Sequence, residues 1–212
     1  MDKYSITIDT YNKSAVSFQD KFMNMDLYNA TYDKFCQKVE KKHASILEIA
    51  CGPGNITKYI AAKRPDFSIF GIDLADKMIE LARVNVPSAR FEVMDCRDIL
   101  KINNTFDAIM CGFCLPYLTK EEATKLISDA FQLLNAGGVL YISAMEGDYS
   151  KSGYETTSFS NGNQVYVHYH QADFLKEKFK EAGFVDVELI TQQYPEPDGS
   201  FTTDMIFFAQ KP

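Results

Sequence analysis

Two hydrophobic periods take turns along the chain. Before about Lys42, apolar side chains return every three or four positions, first as Tyr11, Ala15, Phe18 and Phe22, then as Tyr28, Tyr32, Phe35 and Val39. That spacing predicts an amphipathic helical segment whose two stripes must pack on something. From Ser45 onward, apolar runs of strand length alternate with helical stripes. "SILEIA" predicts a first buried strand, "FSIFGIDL" a second, "RFEVMD" a third, "FDAIMCGF" a fourth and "VLYISAM" a fifth. Between them lie stripes built on Ile56, Tyr59 and Ile60, on Met78, Ile79 and Ala82, and on Ala123, Leu126, Ile127, Ala130, Phe131 and Leu134. The last of these has the plainest start signal in the chain, a capping box of Thr119 and Glu122. Gly137-Gly138 is expected to end it.

Short strands buried on both faces and separated by amphipathic helices predict a mostly parallel sheet covered on either side. The fold class is therefore α/β, doubly wound, with right-handed crossovers. The final third changes style. "YETTSFSNGNQVYVHYH" alternates about Asn161-Gly162 and predicts a β-hairpin insertion. A helix is expected from about Gln171 to Ala182, capped by Gly183. "FVDVELITQQ" and "FTTDMIFFAQ" predict two strands meeting antiparallel across "YPEPDGS", with Asp198-Gly199 as the turn. Without repeats or linkers, residues 1–212 read as one domain: a helical cap (1–42), a core (43–146), the hairpin insertion (147–170) and a C-terminal helix with a strand pair (171–212).

Composition then narrows the function. A hydrophobic content of 46% and a charged content of 24% are those of an ordinary globular chain. The net charge of -7 works against a nucleic-acid surface, which needs a basic stripe to displace counterions. The opening "MDKYSITIDTYNK" lacks the basic-then-apolar order of a secretory leader. No apolar run reaches membrane-spanning length. The five cysteines, several inside strand-like runs, are expected to be reduced thiols of a cytoplasmic protein. Cys111 and Cys114 match a redox spacing, but they fall at a strand end and not at a helix start, so packing is their expected role. No pair of metal ligands lies at finger spacing.

The candidate chemistry starts in "LEIACGPGNIT". Gly52 and Gly54 follow the first strand and precede a helix, where glycines admit close backbone approach and the helix N-terminus favours an anion. Asp73 ends the second strand about twenty residues on, placed to accept hydrogen bonds from a ribose diol. Asp76 is expected to cap the next helix, which leaves Asp73 for a ligand. Asp95 ends the third strand, either to meet an exocyclic amine or to cap the turn after it. Glu48 within the first strand suits a ligand ammonium better than a pyrophosphate. Thr57 stands where a dinucleotide loop would carry its third glycine. A nucleoside bearing a zwitterionic amino acid answers all of these demands.

Taken together, "ILEIACGPGNIT", "IFGIDLADKMIELAR", "FEVMDCRDI", "FDAIMCGFCLPYL", "LLNAGGVLYISAME" and "FKEAGFVDVELI" resemble the class I S-adenosylmethionine-dependent methyltransferases over roughly Ile46 to Val187. The resemblance implies a Rossmann-like seven-stranded sheet in order 3-2-1-4-5-7-6, its last strand antiparallel. It implies that Glu48, Ala50, Gly52 and Gly54 hold the methionine part of the cofactor and that Asp73 holds the ribose. Leu74 and Met78 would pack on the adenine, Asp95 and the Cys96 amide would meet its edge, and the Cys111 carbonyl would approach the ammonium. Two departures stand out. Ala50 replaces a frequent glycine, and Pro116 and Tyr117 replace histidines that many relatives carry there, so no catalytic base carries over.

For a small-molecule acceptor, the expected wall comprises Tyr11, Tyr117, Tyr166 and His170, with His168 as the candidate base because Tyr166, His168 and His170 share one strand face. The N-terminal segment would form a lid. Two alternatives remain open at this point: a cofactor-binding regulator without transfer activity, and an NAD-dependent oxidoreductase, which would leave Glu48 unexplained.

Overall fold

The computed structural model describes residues 2–196 and 198–212. A seven-stranded sheet forms its centre. The strands are β1 (Ser45–Ile49), β2 (Ser68–Asp73), β3 (Arg90–Val93), β4 (Phe106–Cys111), β5 (Leu134–Met145), β8 (Val185–Pro195) and β9 (Phe201–Gln210); β6 (Gly153–Thr156) and β7 (Gln164–Val167) pair separately. The order across the sheet is β3-β2-β1-β4-β5-β9-β8. Strands β1 to β5 run parallel, and β9 lies antiparallel to both its neighbours. With the hairpin set aside, this is the expected order with its reversed last strand. The turn before β9 is closed by the Gly199 amide donating to the Glu196 carbonyl at 3.0 Å; Pro197 within it lies outside the described residues.

The parallel strands are apolar on both faces because both are covered. On one face Leu47, Ile49, Ile109 and Ile142 meet α6 (Lys120–Leu133) and α7 (Ala172–Ala182). On the other, Ile46, Met110 and Tyr141 meet α3 (Asn29–Lys38) and α4 (Asn55–Lys63). Helix α5 (Asp76–Asn85) packs Ile79, Ala82 and Val86 on Phe91 and Cys51. The second N-terminal stripe is therefore a layer of the core: Tyr28, Tyr32, Phe35 and Val39 are all buried against the sheet. Only the first stripe caps the molecule. It spans α1 (Lys3–Lys13) and α2 (Ala15–Phe22), which break at Ser14.

Local signals account for most element ends. The α6 capping box forms in full, Thr119 Oγ1 accepting from the Glu122 amide and the Glu122 carboxylate from the Thr119 amide. Gly183 ends α7 in the left-handed region at φ 99°. One expectation fails. Helix α6 stops at Leu133, and Gly137-Gly138 lies inside β5, next to a register shift against β4, where the extra residues bulge the strand. The expected tight turn forms at Asn161-Gly162, at φ 51° and 84°, with the Asn163 amide donating to the Ser160 carbonyl at 2.9 Å; strand pairing stops short of it at Thr156 with Gln164, so the turn sits within a seven-residue tip, 157–163. That tip docks on α1 and α2 through Phe159.

Candidate active site

The C-terminal ends of the parallel strands open into one cavity of about 930 Å3. It runs past the ends of β3, β2, β1, β4 and β5 and on to β9. At roughly 4.8 Å per strand, that path covers about 24 Å. Helices α1 and α2 and the hairpin loop roof it. Phe159 at the loop tip stacks among Tyr11, Phe18 and Phe22 with ring centroids 5.2, 5.0 and 6.0 Å away. Thr10 Oγ1 donates to the Gln164 carbonyl at 2.6 Å, and the Tyr166 amide donates to Thr7 Oγ1 at 3.0 Å, tying hairpin to helix.

At the β1–β2 end, Ala50, Gly52, Asp73 and Leu74 form the wall. Ala50 and Gly52 both take positive φ, 56° and 54°. The Gly52 amide donates to Asp73 Oδ2 at 2.9 Å, and the Ala75 amide to Asp73 Oδ1 at 2.9 Å. Asp73 thus secures the glycine loop and the start of α5 by itself. Ala75 is the N-cap, Asp76 sits in the first turn, and the cap expected of Asp76 does not form. Burial raises the Asp73 carboxyl above the ordinary range, against three backbone amides that pull it down.

Glu48 lies behind this wall, not in it. Its side chain is 1% exposed, Oε2 accepts from Thr57 Oγ1 at 2.6 Å, and Oε1 has no partner among the described residues. Burial pushes its carboxyl up to about 8, with the Thr57 bond opposing. Thr57, which takes the place of a third loop glycine, is thus occupied with holding the acid. Gly54 is also outside the wall; a Cβ there would stand 3.4 Å from Ala82 and Val86, so it serves the packing of α4 on α5. Met78 is 1% exposed beneath Ile8, Tyr11 and Phe18 of the cap and does not reach the cavity. Cys111 is fully buried in β4, and the wall there is made by Gly112, Phe113 and Cys114.

At the β3 end Asp95 and Cys96 line the cavity, with Arg97 beside them. Asp95 caps the turn of residues 96–101 through the Arg97 amide and also pairs with the Arg97 guanidinium at 3.0 Å. Its carboxyl is held below the ordinary range: Arg97 overcomes the burial that would raise it. Arg97 lies 4.2 Å over the Tyr4 ring, and the Tyr4 hydroxyl binds Glu122, so α1 closes this edge.

Tyr11 and Tyr117 both line the middle of the cavity, hydroxyl against hydroxyl. Burial raises both phenols, Tyr117 to about 12, so both are neutral donors at neutral pH. The histidine expectation is overturned. Val167 and Tyr169 are the β7-side residues facing the cavity, while Tyr166, His168 and His170 face away. Val165, Val167, His168 and His170 are all buried, so both faces of this segment are covered, and its docking on α1 through Thr7 and Thr10 decides which face lines the cavity. His168 stacks on Tyr149 at 5.7 Å and meets Lys3 Nζ at 3.0 Å, and burial together with that lysine pushes its imidazole down to about 4. His170 Nε2 binds the Leu115 and Leu118 carbonyls at 3.1 and 3.2 Å, a structural tie.

The far end of the cavity went unread in the sequence. There Tyr28, Phe113, Tyr194, Glu196 and Asp204 converge. Asp204 in "FTTDMIFFAQ" is an acid set in an apolar strand, the same anomaly that marked Glu48, and it carried the signal.

Comparison with known proteins agrees with this geometry. Residues 46–138 match the model of a family described as "Methyltransferase domain". The chain is 29% identical to "Putative methyltransferase 235L" of Invertebrate iridescent virus 6 over 139 residues, covering 65% of this chain and 49% of that protein. It is 32% identical to "Putative methyltransferase YqeM" of Bacillus subtilis over 120 residues, 53% of this chain and 48% of the relative. The chain thus spans about half the length of these curated relatives. A magnesium protoporphyrin IX methyltransferase from Synechocystis, solved with bound SAH, superposes with a TM-score of 0.72 over 100% of both chains at 14% identity, a likeness of fold.

Proposed function

The chain belongs to the class I S-adenosylmethionine-dependent methyltransferase family, and on that premise we propose that it moves a methyl group from S-adenosylmethionine to a small-molecule acceptor held in the same cavity. The observation that carries the reading is the row of strand ends: Asp95, Asp73 and the Ala50–Gly52 loop stand on three adjacent strands along one wall.

The residues present fit the cofactor. Asp73 has carboxylate lone pairs beyond those that the Gly52 and Ala75 hydrogen bonds use, and in this reading they accept from the ribose hydroxyls. Leu74 offers an apolar face to the base, and Asp95 with the Cys96 amide borders its edge. The unpartnered Glu48 Oε1 lies directly behind the loop, where a ligand ammonium or the water that solvates it would supply the missing bond. The Ala50, Gly52 and Gly112 backbone would hold the amino-acid end; Met78, Gly54 and Cys111 support this wall from behind. When bound, the cofactor supplies a methyl made electrophilic by its sulfonium. The chain's own part is to align the acceptor, for which orientation is worth several kcal/mol, and to exclude water with the α1–α2 and hairpin roof. Tyr11 and Tyr117, as neutral hydroxyl donors at mid-cavity, would orient the acceptor.

A small acceptor is favoured by the roof and by the net charge of -7, which repels polyanions. The oxidoreductase alternative loses its support, because Thr57 is spent on Glu48. We read residues 1–212 as one unit. We place it in the cytoplasm, a reading that rests on its free thiols; no helix among the described residues is long and apolar enough to cross a membrane.

The test is thermal unfolding of the native chain and of Asp73→Ala with S-adenosylmethionine, S-adenosylhomocysteine and NAD. Ligand at a hundred times its dissociation constant adds about 2.7 kcal/mol, or roughly 5–10 °C for a chain this size. The expected result is a rise with the two sulfur nucleosides that Asp73→Ala abolishes. A rise with NAD alone would refute the reading.

A further inference from the structure

The far end of the cavity has a character of its own. Asp204 stands on β9 opposite Met145 at the end of β5 and is 2% exposed, yet belongs to the cavity wall. Its Oδ2 accepts from the Tyr28 hydroxyl at 2.6 Å, the only hydrogen bond its carboxylate makes among the described residues. Glu196, in the same wall, accepts from Thr202 Oγ1 at 2.6 Å. Aromatic residues share the wall with the acid. Tyr28 meets Phe113 edge-on at 5.2 Å, and Tyr194 completes the side. Phe113 holds φ 53°, an uncommon conformation for a bulky residue, and its amide donates to Ser143 Oγ at 3.0 Å.

The charges around this end are not balanced from within. Lys34 and Lys38 lie over Phe208, four residues along β9, and are paired with Glu188. Arg97 belongs to the β3 end and is paired with Asp95 and Glu122. Lys58, also in the cavity wall, has an exposed side chain on α4. A buried carboxylate costs free energy unless it is paired, and here burial and Glu196 together raise the Asp204 carboxyl to about 6. Near neutral pH it is therefore an anion still waiting for a cation, with aromatic residues in the same wall.

We propose that this end of the cavity binds a cationic amine on the acceptor, with Asp204 as counter-ion and Tyr28, Phe113 and Tyr194 as an aromatic box. Carboxylate plus ring faces is the combination that recognises ammonium groups, through charge and cation–π attraction at once. The proposal rests on the cavity being a methyltransferase site and adds the class of molecule it accepts: an amine-bearing compound, not an anionic or neutral one. Asp204 is then the residue that determines specificity.

The experiment is direct binding by calorimetry at pH 7.5, with phenethylamine, phenethyl alcohol and 3-phenylpropionate as probes, each with and without S-adenosylhomocysteine. Native protein should bind the amine at least about tenfold more tightly than the alcohol and should reject the carboxylate. Asp204→Asn keeps an oxygen for the Tyr28 hydroxyl and removes only the charge, so it should erase the preference while S-adenosylhomocysteine still binds. Equal binding of alcohol and amine, no binding of the amine, or a preference that survives Asp204→Asn overturns the proposal. Loss of S-adenosylhomocysteine binding in the native protein would instead count against the function itself, since the amine arm is read without it.

Discussion

Ala50 carries more strain than its small side chain suggests. It follows β1 at φ 56°, a region that costs an L-residue about 1 kcal/mol or more and that glycine enters freely. The strain sits where the loop turns toward the cavity, beside Gly52 at φ 54°. Ala50→Gly should therefore stabilise the ligand-free protein by up to about 1 kcal/mol, seen as a higher urea midpoint with an unchanged slope. Unchanged or lower stability would mean that the turn is relaxed as it stands. At this scale the sequence was legible where a residue type broke its local pattern. Glu48 stood out as an acid within an apolar strand and Asp73 as one at a strand's end. Phe113, Tyr28 and Tyr194 did not stand out, because an aromatic residue in an apolar stripe reads the same whether its ring faces the core or a cavity.

Among elements, the roof is the least regular part and the most instructive. The parallel strands and α4 to α7 follow from period and caps, since each one buries a face against its neighbours in chain order. The hairpin does not. Its inward face could not be chosen from alternation alone, because "QVYVHYH" carries aromatic or apolar residues on both faces, and the docking on α1 decided between them. Phe159 packs among three rings of the roof, Tyr11, Phe18 and Phe22, and joins the hairpin tip to α1 and α2. Phe159→Ala should leave the core intact and loosen the lid. We expect a several-fold faster release of S-adenosylhomocysteine and faster amide exchange across α1, α2 and residues 157–163, with exchange in β1 and β4 unchanged. Uniform loss of protection over the whole chain would show that the roof and core unfold together.

The whole molecule buries acids that resist ionising, and its stability should report them. Glu48 is raised from 4.5 to about 8 and Asp204 from 3.8 to about 6. A folded state that keeps a proton the unfolded chain has lost is favoured at low pH. Glu48 should accordingly lower the stability of the ligand-free protein as pH rises from 4.5 to about 8; below 6.5 the depressed His168 imidazole works in the opposite direction, so the fall shows between 6.5 and about 8 and then levels off. Asp204 contributes only below about 6. Glu48→Gln should flatten the upper part of the slope, an effect on the order of a few kcal/mol between pH 6 and 8 in denaturant titrations; an unaltered slope would place the proton elsewhere. The order of the strands has one more consequence, and it concerns synthesis. β9 is an interior strand that arrives after every other strand of the sheet, between β5 and β8. Until residues 201–210 emerge, β5 presents a bare edge of unpaired backbone groups, a template for unwanted pairing. The nucleoside end of the cavity has all its strands by residue 95, whereas the end bearing Asp204 exists only once that final insertion is made.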